Sequence, residues 1–445
     1  MKQISGSRLL TLSATLIGAR IAGAGLTFLT QILIARWLGA DTLGQYAVAM
    51  SLGGVLAILA AGGYPSIAQR YISRYRVDQR PDLSAGFTSS GLRNLFLGSA
   101  GLIVLTWAGL WLTAGERSPD YSLALAVGAL IAPAMAMLNF HGGVCNAFRR
   151  PFLGFLPDTL LRPVLFIAVV AVVNLALAAS ASATELMVMN LGVVIVAAML
   201  QWIVMRREAL LPRRRARRAY ETAQWRKSAL PLVLAVLFTN YFIEIDILLL
   251  STLMAPEQIA VFNICVRFTA FIVFALQSVN QIALPDLADA HARTDGGGVM
   301  QALARANFAG VGLAVSATIG LVLLGQPILS MIGPQFAGGY KLLVLLAIAQ
   351  VARASLGSAS VQLLTVTGHQ VKVLPSLGVG LAVLIILNFV LVPRFGLEGA
   401  GLAMLVSIIL WSASLAVVAH RVTGYDVTLW TPLRQLVARH FARTA

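Results

Sequence analysis

Charge is scarce in this sequence. Charged residues make up 11% of its 445 positions, against about 25% in soluble globular chains. That composition excludes a cytosolic enzyme and a charged, disordered tail protein. Cysteine is nearly missing: Cys145 and Cys265 are too few for a disulfide framework, and neither has a metal-ligand neighbour at useful spacing. Histidine is thin too. His141, His291, His369, His420 and His440 are scattered near expected span ends, so no metal site is predicted. None of the lysines (Lys2, Lys227, Lys341, Lys372) stands in a G-x-x-x-x-G-K-[ST] context, which excludes ATP hydrolysis by this chain. No Ser-His-Asp set or paired-acid motif stands in a soluble loop, so neither an enzyme nor a resident cofactor is expected.

What fills the sequence instead is apolar: 58% of residues are hydrophobic. A membrane span takes roughly 20 residues. A dozen spans occupy about 240 positions and leave little for a domain outside the bilayer. The apolar runs predict twelve. They lie near Leu9–Ala35, Tyr46–Ala68, Leu95–Ala114, Tyr121–Phe140, Thr159–Ala178 and Leu186–Met205. After a basic loop come Leu230–Leu253, Ile259–Leu284, Phe308–Leu324, Tyr340–Leu364, Val373–Val392 and Leu397–Val418. The first run is too long for a signal-peptide core and no A-x-A site follows it, so it reads as a retained helix.

Lys and Arg number 33 against 17 Asp and Glu, a net charge of +16. In a soluble chain that excess suggests nucleic acid; here it marks cytoplasmic loops. With the N-terminus in the cytoplasm, only Arg36, Arg117, Lys341 and Arg394 fall on the opposite side, outside the spans. Both termini are therefore expected in the cytoplasm. The external loops are short and hold no catalytic domain. The one sizeable loop, Arg206–Lys227, is basic, and reads as a topology anchor that touches anionic headgroups.

That loop splits the spans six and six. The expected domains are an N-terminal lobe at 1–210, a basic linker at 211–228, a C-terminal lobe at 229–424 and a cytoplasmic tail at 425–445. The first hairpin of each half aligns without a gap, Ile34–Val48 on Leu250–Ile264. Asp41 meets Glu257, Gly44 meets Ala260, and Tyr46 meets Phe262. This predicts an all-α polytopic membrane protein, twelve helices in two six-helix lobes, related as a parallel pseudo-two-fold repeat around a central cavity.

Polar residues inside spans cost several kcal/mol in lipid, so they point to function. Arg20, Arg162, Arg267 and Arg353 all lie within spans. Arg162 is close enough to its span's start to reach the headgroups. Arg20 is near the midplane. Ser13, Arg20, Gly23, Thr27 and Gln31 share one helical stripe, as do Asn263, Arg267, Phe274, Gln277 and Gln281. Gln350, Arg353, Gly357, Ser360 and Thr367 form a third. Such stripes face a wet cavity or the bundle interior. The candidate substrate-binding residues are Arg20, Gln31, Asn263, Arg267, Gln277 and Arg353. Glu244 and Asp246 sit two apart in the seventh span, on opposite faces. Each either neutralises a buried arginine or binds a coupling ion; a carboxylate in low dielectric suits proton carriage.

Three stretches resemble the polysaccharide transporter family, the Wzx-type oligosaccharide flippases of the multidrug/oligosaccharidyl-lipid/polysaccharide (MOP) superfamily. They are Ala35-Arg36-Trp37-Leu38-Gly39-Ala40-Asp41-Thr42-Leu43-Gly44-Gln45-Tyr46, Met331-Ile332-Gly333-Pro334-Gln335-Phe336 and Asn388-Phe389-Val390-Leu391-Val392-Pro393-Arg394-Phe395-Gly396-Leu397-Glu398-Gly399-Ala400-Gly401. The resemblance implies a V-shaped transporter with a cationic cavity. Its cargo would be an oligosaccharide on polyprenyl pyrophosphate, an O-antigen or exopolysaccharide repeat unit, moved across the bacterial inner membrane by alternating access. Arg20 and Arg267 fall on suitable helices for the phosphates, which guanidinium groups bind in bidentate fashion. The implied partners are membrane lipids, a polysaccharide polymerase and glycosyltransferases; nucleic acid is not among them. Energy would come from a proton or sodium gradient or the membrane potential. The alternative is a cation-coupled drug exporter of the MATE type, whose signature loops are not seen here.

Overall fold

The computed structural model describes residues 6–176, 181–212 and 217–429. The side chains of residues 6–14, Ser13 of the first stripe among them, lie outside the described set, as do 213–216 of the linker and 430–445 of the tail, including His440. Every regular element among the described residues is helical. The chain divides into two compact units, Met1–Leu248 and Leu249–Ala445.

The first unit holds α1 (Gly6–Ala61), α2 (Tyr64–Val77), α3 (Pro81–Leu112), α4 (Pro119–Ala147), α5 (Pro151–Leu156), α6 (Arg162–Ala171), α7 (Ala183–Arg207), α8 (Thr222–Asn240) and most of α9 (Phe242–Leu250). π-helical turns at Pro157–Leu161 and Val172–Ala176 flank α6. The second unit holds α10 (Pro256–Ala292), α11 (Gly296–Ile332), α12 (Tyr340–Ser355), α13 (Ser360–Val366) and α14 (Val373–Thr423). The starts follow local chemistry. Proline opens α3, α4, α5 and α10, where its missing N–H costs nothing. Ser182 and Glu185 form a reciprocal cap on α7, and Asp295 accepts from Gly298 N–H at the start of α11.

Two helices are too long for one crossing. α1 has 56 residues, roughly 84 Å at 1.5 Å each, against a hydrocarbon core of about 30 Å. Its helical geometry breaks at Gly39, φ 90°, inside the first motif. α14 breaks likewise at Gly396, φ 53°, inside the third. A side chain is strained at such a φ, and glycine is not. Among the described residues, nine helices, or ten with the α8–α9 pair, are long and apolar enough to cross a membrane. Two of these ten are doubled by the breaks at Gly39 and Gly396, which gives the twelve spans expected.

The repeated hairpin shows the same burial in each unit. Asp41 and Glu257 are exposed; Leu43 and Ile259, Gly44 and Ala260, and Tyr46 and Phe262 are buried. Inside the first unit, α1 and α4 meet backbone to backbone. A methyl on Gly128 would stand 2.5 Å from the Ala49 carbonyl oxygen. Tyr46 stacks on Phe166 at 5.7 Å, and Asn190 Nδ2 donates to its hydroxyl at 3.1 Å.

α8 packs on α2 and α3, so the division between units falls inside the seventh span, beyond the linker at 211–228. Trp225 is fully buried and edge-on to Phe87 at 5.4 Å. Its indole N–H donates to Tyr75 Oη at 2.8 Å, and that hydroxyl donates to Glu221 Oε2 at 2.9 Å. Tyr71 and Ser228 share a hydrogen bond of 2.9 Å.

In the second unit the tenth span breaks between α12 and α13, with Gly357 at φ 102°. Residues beyond α14 cover that break. Asn307 Nδ2 donates to the Val427 carbonyl at 2.6 Å, and Leu429 N–H donates to the Ser355 carbonyl at 2.9 Å. Val427 is fully buried.

Candidate functional site

The sequence-predicted residues take varied positions. Arg20 is exposed on α1. One turn on, Gly23 is pressed against Thr159 of the π-helical turn, so that face of α1 is packed there. Thr27 turns its hydroxyl back to the Gly23 carbonyl at 2.9 Å. Gln31 is buried, and its Oε1 finds no hydrogen-bond partner among the described residues. The stripe is therefore open at Arg20 and closed further along.

In the second unit, Asn263 is buried with neither amide atom bonded among the described residues. An unsatisfied buried amide costs about 1–3 kcal/mol, so it is a group with spare binding capacity. Arg267 is half-buried, and Gln277 is exposed. Arg353 is half-buried, with its guanidinium 5.1 Å over the Trp411 ring, a cation–π contact between α12 and α14. Glu244 is half-buried and Asp246 fully buried on α9. The described residues hold no cluster of His, Cys, Asp or Glu that could bind a metal.

Arg162 is held against its own helix: its side chain is 17% exposed, and Nε lies 3.2 Å from Asp158 Oδ1. The pair is close but not aligned as a hydrogen bond, and Arg162 Nη1 is a buried donor without an acceptor among the described residues. Asp158 lies within the π-helical turn Pro157–Leu161, and Arg162 directly follows it, ahead of Pro163. Such turns re-aim side chains, frequently at functional positions.

A second irregularity lies beside it. α8 and α9 meet at a bend of 72° at Tyr241. The Tyr241 hydroxyl is beside Asn139, within electrostatic reach of Glu244, Asp158 and Arg162. Broken helices free backbone groups and admit polar side chains where a span would otherwise be apolar. The first unit thus gathers Asn139, Asp158, Arg162, Tyr241 and Glu244. Of these, the sequence analysis singles out Arg162 and Glu244 as charged residues inside spans and misses Asn139, Asp158 and Tyr241; the i, i+4 spacing of Asp158 and Arg162 between two prolines was the available signal.

Fold and site together define a polytopic membrane protein: among the described residues, helices long enough to cross lipid, several of them broken, with arginines within their apolar runs. The structure resembles an inward-facing multidrug resistance MATE family transporter of the MOP superfamily at TM-score 0.74 and 13% identity, covering 92% of this chain and 98% of that one. It resembles the lipid II flippase MurJ, in an inward closed conformation, equally well at 0.74 and 14%, covering 96% and 93%. A MOP superfamily transporter from Pyrococcus furiosus, described as having a binding pocket of reversed polarity, follows at 0.65 and 13%, covering 92% and 94%. No curated protein matches the sequence. Residues 10–291 match the family described as polysaccharide biosynthesis protein, and the chain belongs to that family.

Proposed function

We propose that this protein flips a polyprenyl-pyrophosphate-linked oligosaccharide, an O-antigen or exopolysaccharide repeat unit, across the bacterial inner membrane by alternating access, with both termini in the cytoplasm. The observation that carries the reading is the family match over residues 10–291, in a chain that keeps an exposed arginine, Arg20, near the middle of its first span. A pyrophosphate is the part of such a cargo that lipid rejects most strongly. Guanidinium groups offset that loss by paired, charge-assisted hydrogen bonds. Arg20 and Arg267 take the phosphates in this reading. Gln31, Asn263 and Gln277 offer amides to sugar hydroxyls, and Arg353 adds positive potential. Glu244 and Asp246 balance the arginines or carry the coupling proton or sodium ion. A polysaccharide polymerase and glycosyltransferases are the expected partners.

A drug exporter of the MATE type shares the fold equally well, so fold does not choose between the two. The intramembrane arginines favour the first: export of a cationic drug calls for acidic and aromatic groups, and this chain has Arg20, Arg267 and Arg353 within its spans.

The test is complementation of a deletion strain. The strain should accumulate lipid-linked repeat units and lose surface polysaccharide. Wild type should restore it, and Arg20→Ala or Arg267→Ala should not, at equal protein level in the membrane. Full polymer from both variants refutes the assigned site. Undiminished polymer in the deletion strain refutes the function.

A further inference from the structure

We infer that residues 217–220 and the stretch of α3 around Ser89 and Arg93 form a binding notch for the phosphate headgroup of an anionic phospholipid in the cytoplasmic leaflet. The notch is independent of the cargo.

The described end of the linker, residues 217–228, is tied to the first unit. Ala219 N–H donates to the Asp82 carbonyl at 3.1 Å. Gly86 lies so close to the Ala219 carbonyl that a side chain there would collide with it. Trp225, Glu221 and Ser228 fix the following turn through Tyr75 and Tyr71, as described above. The linker cations near α3 are therefore presented from a fixed backbone. A preorganised site binds more tightly than a loose tether, because less freedom is lost.

The fixed segment places phosphate-binding groups together. Arg218 Nη1 donates to Ser89 Oγ at 3.2 Å. The Tyr220 hydroxyl is hydrogen-bonded to the same Ser89, with Arg218 and Arg93 adding positive charge. Together they hold its phenol below the ordinary value. Arg93, Arg218 and Tyr220 are all exposed. Two guanidinium groups, a serine hydroxyl and a phenol are the donors a phosphate diester takes.

Depth selects a lipid. Ser89, Arg93, Phe96 and Leu97 step by four, three and one, so they lie on one face of α3. Phe96 and Leu97 are 52% and 67% exposed. An apolar face that open belongs in lipid, one turn beyond Arg93. α8 repeats the order: exposed Arg226 and Lys227, then Leu230 and Leu234, 69% and 54% exposed. The cations thus stand at the level where acyl chains give way to headgroups, as snorkelling side chains do. A soluble phosphate would bind the donors but leave the apolar face unmatched.

The full chain is purified and reconstituted into nanodiscs of phosphatidylcholine with a minor fraction of phosphatidylglycerol. Retained lipid is counted by native mass spectrometry after release. Wild type should retain phosphatidylglycerol over phosphatidylcholine. Arg93→Gln with Arg218→Gln should lower that preference about thirty-fold, the equivalent of two cations near an anionic surface. Both side chains are exposed, so the fold should survive; Ser89→Ala, with a smaller loss of a few-fold, checks the same notch without a charge change. Arg305→Gln, an exposed arginine of the second unit, should keep the wild-type preference. No preference in wild type, an equal loss in Arg305→Gln, or retention unchanged in the double variant would each overturn the notch. Competition by millimolar inorganic phosphate as effective as by the lipid would overturn the lipid assignment.

Discussion

Trp225 is the side chain that ties the linker to the first unit, and replacing it tests that tie. It is fully buried, edge-on to Phe87, and donates to Tyr75. Removing a buried tryptophan costs about 3–5 kcal/mol in lost transfer energy and cavity. The aromatic pair accounts for roughly 0.5–1.5 kcal/mol of such a loss. Trp225 lies three residues into α8, beside Arg226 and Lys227, where water rather than lipid is the reference solvent. The water-based figure therefore applies. Each 1.4 kcal/mol is tenfold in an equilibrium. Local opening of residues 217–228 should rise between about a hundred- and a few-thousand-fold in Trp225→Ala. Hydrogen exchange reads this directly, at the Ala219 amide and its neighbours. Trp225→Phe keeps the apolar ring and loses the indole N–H, while Tyr75 keeps Glu221 as acceptor. Its cost should be about 1 kcal/mol, near five-fold in exchange. If Trp225→Ala leaves exchange of 217–228 within two-fold of wild type, the linker is not anchored by this cluster.

The two glycine settings should behave differently. Gly128→Val pushes atoms into the Ala49 backbone carbonyl, which cannot give way, so the variant should lose monodisperse protein on size exclusion. Gly39→Ala meets nothing in space, but must hold φ 90°; it should fold, with a thermal midpoint lowered by a cost of about 1–2 kcal/mol. The Lys341–Glu398 bridge is 2.9 Å long but exposed on both sides. Lys341→Ala should therefore change thermal stability by less than about 1 kcal/mol. A larger fall would mean that the bridge is part of a wider network.

The spans were readable because lipid imposes a long apolar run on every crossing helix. The hairpins were readable because Gly39 and Gly396 break what would otherwise be continuous helix. The hairpin repeat was readable too, since Asp41 with Glu257 and Tyr46 with Phe262 keep their burial. Arg162 was not. A 3.6-residue period assumes regular helix, and the π-helical turn at Pro157–Leu161 shifts every side chain after it. Its partner Asp158 precedes the residue at which the apolar run was taken to start. Tyr241 was missed for a related reason: Thr239, Asn240 and Tyr241 make a short polar dip that a span-length apolar run averages away, while the backbone bends there by 72°. The linker looked like a tether because its composition is basic and polar. The hydrogen bond of Trp225 to α2 depends on Tyr75, 150 positions away, which no local pattern reports.

The strand of chain after α14 has a practical consequence. Val427 and Leu429 serve as a plug for the interrupted tenth span, so the folded body does not finish at Thr423. A truncation made where the last helix stops would uncover the Ser355 carbonyl and strip Asn307 of its acceptor, deep inside the second unit. Tags and reporter domains belong beyond Leu429, on a spacer long enough that their tugging is not felt at Gly357.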